Sequence, residues 1–384
     1  MTPGMSPLSR PAYVHLLCLQ VTFGLAFSTF LMLPKYLVAQ GAGAAAVGLV
    51  NGAFALGATV TAPLVPRATA RFGPVACLAA ASSVMAAGSL GFAFVSSAGA
   101  LAFALRLAQG MAGTFTFSVG TLMVAALVTP ERLTSALALF ITAGVVTTAV
   151  APAAAEWLMA HHGGAPAFVG AAACALAGLV PCRCLLATEA ARPPPRSASS
   201  RADAARPARL DRATLGIVAL SAVFGLASGV MFTFHQPLAL ERGVRRVSDF
   251  LVAFTLTVTL LRVGGGRLMD RAGSRTLARW AFAGYAFALG GMVALGPGQL
   301  AGFGVLVGLF HGLLLPSLMA LSLEPGPTSR EARAAWMNAG MNVGGLGVAA
   351  LGPIAARAGY PAIFMGAGAI LAASAVALRP RPRG

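Results

Sequence analysis

Apolar runs of about twenty residues recur from one end of this chain to the other, and they decide the solvent in which it can fold. Candidate spans lie at 13–37, 45–65, 75–96, 99–127, 134–158 and 166–187, then at 213–238, 248–266, 277–297, 300–321, 334–356 and 361–378. A helix of about 20 apolar residues is long enough to cross the hydrocarbon core of a bilayer. A spanning segment must satisfy its own backbone hydrogen bonds, so runs of this length are expected to be helices. The first run is not expected to be a cleaved signal peptide: it is too long, it is interrupted by Pro34 and Lys35, and no small-residue cleavage site closes it.

Water is excluded as the main solvent by the shortage of charge. Of 384 residues, 58% are apolar and only 10% are Asp, Glu, Lys or Arg, and the mean hydropathy is +0.81. A soluble domain carries about 25% charged residues. The chain is therefore neither a soluble enzyme nor a disordered protein. The expectation is an all-α integral membrane protein of twelve transmembrane helices.

The charge that remains is strongly basic, with a formal net charge of +17 and a pI near 11.5. Taken alone, that balance fits a nucleic-acid binder. Its distribution does not, because the arginines sit in short gaps between apolar runs. With the N-terminus in the cytoplasm, twenty basic residues fall inside, while Lys35, Arg242, Arg245, Arg246 and Arg357 fall outside. Arg106 and Arg262 lie within spans. This is the positive-inside pattern, and it places both termini in the cytoplasm. The partner implied is the lipid bilayer and not nucleic acid. One lysine against twenty-six arginines, with abundant Ala, Gly and Pro, fits a GC-rich bacterial genome, hence the bacterial cytoplasmic membrane.

Between the two sets of six spans, residues 188–212 contain three consecutive prolines, six arginines and several serines, with no apolar period. They read as a cytoplasmic linker. The expected organisation is a six-helix bundle over 1–187, the linker over 188–212 and a second six-helix bundle over 213–384. The halves resemble one another at an offset of about 200 residues. Phe23-Gly24-Leu25-Ala26 recurs as Phe224-Gly225-Leu226-Ala227, and Arg67…Arg71-Phe72-Gly73 meets Arg267…Arg271-Ala272-Gly273. Gly164-Ala165-Pro166-Ala167-Phe168 parallels Gly359-Tyr360-Pro361-Ala362-Ile363-Phe364. A duplicated six-helix unit explains matches that keep their order and spacing.

With these residues the sequence resembles the major facilitator superfamily of secondary transporters. The resemblance covers essentially the whole chain. Its most specific element is Gly266-Arg267-Leu268-Met269-Asp270-Arg271-Ala272-Gly273-Ser274-Arg275, similar to the superfamily's G-x-x-x-D-R-x-G-x-R loop. The resemblance implies two pseudo-symmetric bundles and a gating loop that uses Gly266, Asp270, Arg271, Gly273 and Arg275. The first-half copy retains Arg67, Arg71 and Gly73 but has Ala70 in place of the acid and Pro74 in place of a basic residue. Arg106-Leu107-Ala108-Gln109-Gly110 is similar to the superfamily's R-x-x-Q-G element. Ala151-Pro152 stands where drug antiporters carry a glycine-rich G-P-x-x-G-G, here with alanines for glycines. The second half looks most like bacterial drug, sugar and metabolite efflux permeases.

Polar groups inside spans are costly and are therefore site candidates. The resemblance implies a central cavity lined by the first, fourth, seventh and tenth spans. Candidates for a substrate and coupling cavity are Gln20, Arg106, Gln109, Met231, His235, Gln236, His311, Asn338 and Asn342. The only acids near spans are Glu156 and Asp249, so the candidate proton sites are His235, His311 and Glu156. Cys182-Arg183-Cys184 and His161-His162 lack the further ligands of a metal site. No metal, cofactor or catalytic motif is expected. The expected activity is transport of a small organic molecule by alternating access, with proton-coupled efflux by a monomer the leading form. An importer of the same fold is the alternative, and a non-transporting membrane sensor a remote one.

Overall fold

A computed structural model describes residues 9–187, 211–264, 273–324, 328 and 330–378. Among these residues the regular structure is entirely helical. The first group of helices is α1 (Ser9–Thr29), α2 (Leu33–Ala39), α3 (Ala44–Thr61), α4 (Val65–Phe72), α5 (Pro74–Phe92), α6 (Ala100–Leu127), α7 (Pro130–His162), α8 (Gly164–Ala177) and α9 (Leu179–Leu186). The second is α10 (Arg212–Glu241), α11 (Ser248–Gly264), α12 (Ser274–Gly291), α13 (Leu300–Ser322) and α14 (Arg330–Ala377).

Ten helical stretches among the described residues are long and apolar enough to cross a membrane, against the twelve spans read from the sequence. Two features account for the difference. One stretch, Ala332–Ala377, contains two of the predicted spans, and its helical geometry breaks at Gly359 with φ 79° and ψ 161°. Helix α11 is only 17 residues long and runs into residues outside the described set.

Prolines shape the first span without ending it. Pro34 has no N–H to give to the Phe30 carbonyl, so the Leu33 N–H takes that carbonyl instead. The result is a 3₁₀ turn over Phe30–Met32, after which α2 continues through Pro34 to Ala39. The predicted interruption at Pro34 and Lys35 is thus a tightening of the helix rather than a break.

The chain divides into two compact units. One comprises Met1–Tyr36 and Leu56–Ser197, the other Leu37–Ala55 and Ala198–Gly384. In the first unit, α1 packs on α6, α7 and α8, and α5 packs on α6 and α8. Leu16, Leu19, Leu78, Val119, Phe140 and Leu185 form part of one buried cluster there. In the second, α10 packs along α14, and α13 packs along α11. Glycines carry these contacts. A Cβ on Gly340 or Gly344 of α14 would strike the Val218 or Ala222 carbonyl of α10. Gly304 and Gly308 of α13 approach the Phe250 and Phe254 carbonyls of α11 in the same way. Without a hydrophobic drive between helices in lipid, such close backbone approach is the main source of packing energy.

The internal repeat is also visible in the backbone. Among the described residues, positive φ occurs at Gly41, Gly73, Gly163, Gly243, Gly273, Gly298 and Gly359. Six of these fall into three pairs near the sequence offset: Gly41 with Gly243, Gly73 with Gly273, and Gly163 with Gly359.

Candidate functional site

In the first unit the polar residues converge on two places. Arg106 and Gln109 lie three residues apart on α6, on one helix face, and the Arg106 Nη1 donates to Gln109 Oε1 at 3.0 Å. The guanidinium lies 5.5 Å from the centroid of the Phe30 ring. Phe30 is held by the 3₁₀ turn before Pro34, and its ring packs against Phe92 and Phe168 at 5.0 and 5.3 Å. Arg106 is thus buried with a charge-assisted hydrogen bond and an aromatic face as company. Gln20 lies on α1 with its amide against Gly144 of α7, where a Cβ would collide with Nε2.

The second place joins α2 to α7. Lys35 Nζ and Glu156 Oε1 form an ion pair at 2.5 Å. The two side chains are 22% and 9% exposed, so the pair is largely withdrawn from solvent. Glu156 is one of the predicted proton sites. Lys35 was read from sequence as an outer-side charge, and nothing in its surroundings marks it as a partner for a residue 121 positions away. Just beyond the pair, Trp157 stacks on His161 at 4.8 Å and meets His162 edge-on at 5.6 Å, in the last turn of α7.

In the second unit the two histidines have different surroundings. His235 is fully buried on α10. Its Nδ1 donates to the Met231 carbonyl at 2.6 Å, and its ring lies 4.4 Å from Phe250. Met231 and Gln236 are buried beside it. His311 on α13 is partly exposed. Four aromatic rings surround it: Phe224 at 4.8 Å, Phe254 at 5.2 Å, and Phe232 and Tyr285 each at 5.9 Å. Ser228 Oγ donates to the Phe224 carbonyl at 2.7 Å and lies 3.4 Å from His311 Nδ1. Asn338 is exposed and Asn342 half-buried on α14.

The predicted gating residues divide between described and undescribed segments. Gly266, Asp270 and Arg271 lie outside the described residues. Arg67 reaches back to the Pro63 carbonyl at 3.5 Å, and Arg71 lies over the Phe72 ring at 5.3 Å. Gly73 ends α4 with φ 86° and ψ 156°, and Gly273 precedes α12 with φ 74° and ψ 136°. Arg275 follows in the first turn of α12 and is half-buried. No group of three or more His, Cys, Asp or Glu suited to a metal is present among the described residues.

The family model described as Major Facilitator Superfamily matches residues 16–299 and 243–384. The chain belongs to the major facilitator superfamily. Its fold matches solved members throughout. A bacterial homologue of the human lysosomal transporter Spinster, in an inward-facing and unoccupied conformation, aligns with a TM-score of 0.75 at 12% identity, covering 99% of this chain and 100% of that one. The nucleoside transporter NupG aligns at 0.73 and 12% identity, covering 96% and 98%. The human organic anion transporter MFSD10 (TETRAN) aligns at 0.66 and 18% identity, covering 97% and 100%. At these identities the likeness establishes the fold. No curated protein sequence matches the chain. As a major facilitator the chain is a multi-pass membrane protein of a transporter family rather than an enzyme, and members of that family carry small molecules.

Proposed function

We propose that this major facilitator exports a small organic molecule from the bacterial cytoplasm in exchange for protons. It works as a monomer whose two six-helix halves, 1–187 and 213–384, alternate about a midplane site, with both termini and the 188–212 linker in the cytoplasm. The observation that carries the coupling is the Lys35–Glu156 ion pair. A proton-driven carrier needs a group whose proton affinity differs between its two states. A carboxylate held against an ammonium stays ionised, and the same carboxylate parted from it in a low-dielectric setting takes up a proton. Glu156 therefore serves as the proton carrier with Lys35 as its switchable counter-charge. His235 already has Nδ1 committed to a carbonyl in a packed core, and His311 faces a ring of aromatics, with no carboxylate against it among the described residues.

Arg106 and Gln109 belong to the substrate cavity in this reading, with Gln20, Asn338 and Asn342 as further polar contacts. The glycine turns at Gly73 and Gly273, with Arg67, Arg71, Asp270 and Arg275, gate its cytoplasmic side.

Reconstituted protein under an imposed pH gradient tests the proposal. The wild type is expected to drive uphill flux of its substrate, and Glu156→Gln to lose that drive while keeping substrate–substrate exchange. Full gradient-driven flux in Glu156→Gln overturns the coupling assignment. Direction is read in cells: higher intracellular accumulation when the gene is absent supports export, and lower accumulation supports import.

A further inference from the structure

The contacts of His311 define the kind of molecule that it can meet. Phe224, Ser228 and Phe232 recur at four-residue intervals along α10, so they form one ridge of that helix. Phe254 of α11 and Tyr285 of α12 pack around the same imidazole. The Ser228 hydroxyl has one proton, and its 2.7 Å bond to the Phe224 carbonyl uses it. Toward His311, 3.4 Å away, Ser228 Oγ is then the acceptor and Nδ1–H the donor. The neutral imidazole keeps its lone pair on Nε2, so that edge of the ring accepts and does not donate. Phe224, Phe254 and Tyr285 are buried, whereas Phe232 and His311 are both partly exposed. Phe232 stands nearly perpendicular to His311, at 87° and 5.9 Å, and is braced edge-on against Phe254 at 5.3 Å. The accessible part is a corner, with an aromatic ring on one side and a hydrogen-bond acceptor on the other.

We propose that His311 and Phe232 form a binding subsite for an uncharged planar aromatic molecule that carries an O–H or N–H donor, such as a phenol or an indole. The ligand ring packs on Phe232, and its donor is taken by His311 Nε2. Ser228 is a positioning residue: by accepting from Nδ1 it keeps the imidazole proton away from Nε2. A methyl ether of the same ring gains the aromatic contact without the hydrogen bond, and an aliphatic alcohol the hydrogen bond without the aromatic contact. A carboxylate brings lone pairs to a place where Nε2 already offers one. The subsite deepens the export reading and rests on it only for the claim that the bound molecule is the cargo.

Calorimetric titration of the full chain in lipid nanodiscs, without a gradient and with empty nanodiscs as the blank for partition into lipid, tests the subsite. The probes are phenol, anisole, cyclohexanol and benzoate. Saturable binding of phenol above the blank is expected. Anisole, with the ring but no donor, and cyclohexanol, with the donor but no aromatic ring, are each expected to bind more weakly by about fivefold. Benzoate should be no tighter than anisole. His311→Leu should erase the preference for phenol over anisole. Ser228→Ala, which lets the imidazole proton move to Nε2, should reduce that preference while leaving anisole binding in place, whereas a residue that only supported packing would weaken both probes alike. Each variant is checked for wild-type elution, and the probe comparison in the wild type needs no variant to fold. No saturable binding of phenol, equal affinity for phenol and either anisole or cyclohexanol, tighter binding of benzoate than of phenol, or an undiminished preference in a folded His311→Leu overturns the subsite. Intact binding without proton-driven flux overturns the export reading alone.

Discussion

Lys35 and Glu156 meet across 121 residues of sequence, joining the end of the first span to the fifth. The finding resolves a charge problem that the sequence poses. Acids are scarce, and the lysine is alone among twenty-six arginines, yet these two charges neutralise each other where solvent hardly reaches.

Breaking that pair from either side should be costly. Removing one partner of a buried pair leaves the other uncompensated, at about 3 kcal/mol. Lys35→Met and Glu156→Met are each expected to lower the unfolding midpoint in detergent. The double variant Lys35→Met with Glu156→Met should recover most of the loss, because no lone charge remains. A double variant as unstable as the sum of the singles would mean that the two residues do not act as a pair.

Helix contact through glycine makes a contrasting prediction in the second unit. A Cβ at Gly344 meets the Ala222 backbone, which has no rotamer to yield with, whereas a Cβ at Gly216 of α10 meets nothing within 4 Å. Gly344→Ala should therefore destabilise by about 1–3 kcal/mol by forcing α10 and α14 apart. Gly216→Ala should be neutral or slightly stabilising through helix propensity. Thermal unfolding of the two variants side by side distinguishes the packing role from a general intolerance of substitution.

The paired turns offer a purely conformational test. Gly73 and Gly273 have φ of 86° and 74°, and a Cβ at either would touch nothing. Alanine there is strained by backbone geometry alone, by about 1–3 kcal/mol. Gly73→Ala and Gly273→Ala are each expected to reduce stability or flux, with similar size in the two halves. A large effect in one half only would argue that the repeat is no longer symmetric in function.

A pH-dependent effect is expected at the start of α10. The Thr214 N–H donates to Asp211 Oδ1 at 2.6 Å, capping the helix, and the bonds from Thr214 hold the Asp211 carboxyl below its ordinary value. A carboxylate with a depressed folded value contributes stability above its unfolded value, and loses it as pH falls through the folded one. Protection of the Thr214 amide in hydrogen exchange should therefore fall on acidification. Asp211→Asn should keep the cap without that pH dependence, and Asp211→Ala should lose the cap at every pH.

How much of the site was legible depended on distance along the chain. Arg106 and Gln109 sit three residues apart on one helix, where the 3.6-residue turn alone brings them together, so their bond follows from spacing. His235 and His311 were equally prominent as intramembrane histidines. Packing separates them: one is sealed against Phe250 with Nδ1 bound to its own helix, and the other keeps an accessible edge inside an aromatic ring. The kink at Pro34 was visible as a proline, but the rescue of the Phe30 carbonyl by Leu33 was not.

Hydropathy and charge asymmetry are local and additive quantities, and they were enough to indicate a membrane-spanning helical chain, while the family was legible through the resemblance of short motifs such as residues 266–275. The internal repeat reappears as paired positive-φ glycines. Side-chain partnerships between helices are not additive. Each depends on the rotation of two helices and on the depth at which they cross, and about 100° of rotation per residue turns a one-residue shift into a different face. Only the packed structure could join Lys35 to Glu156 and leave His311, rather than His235, with an open edge.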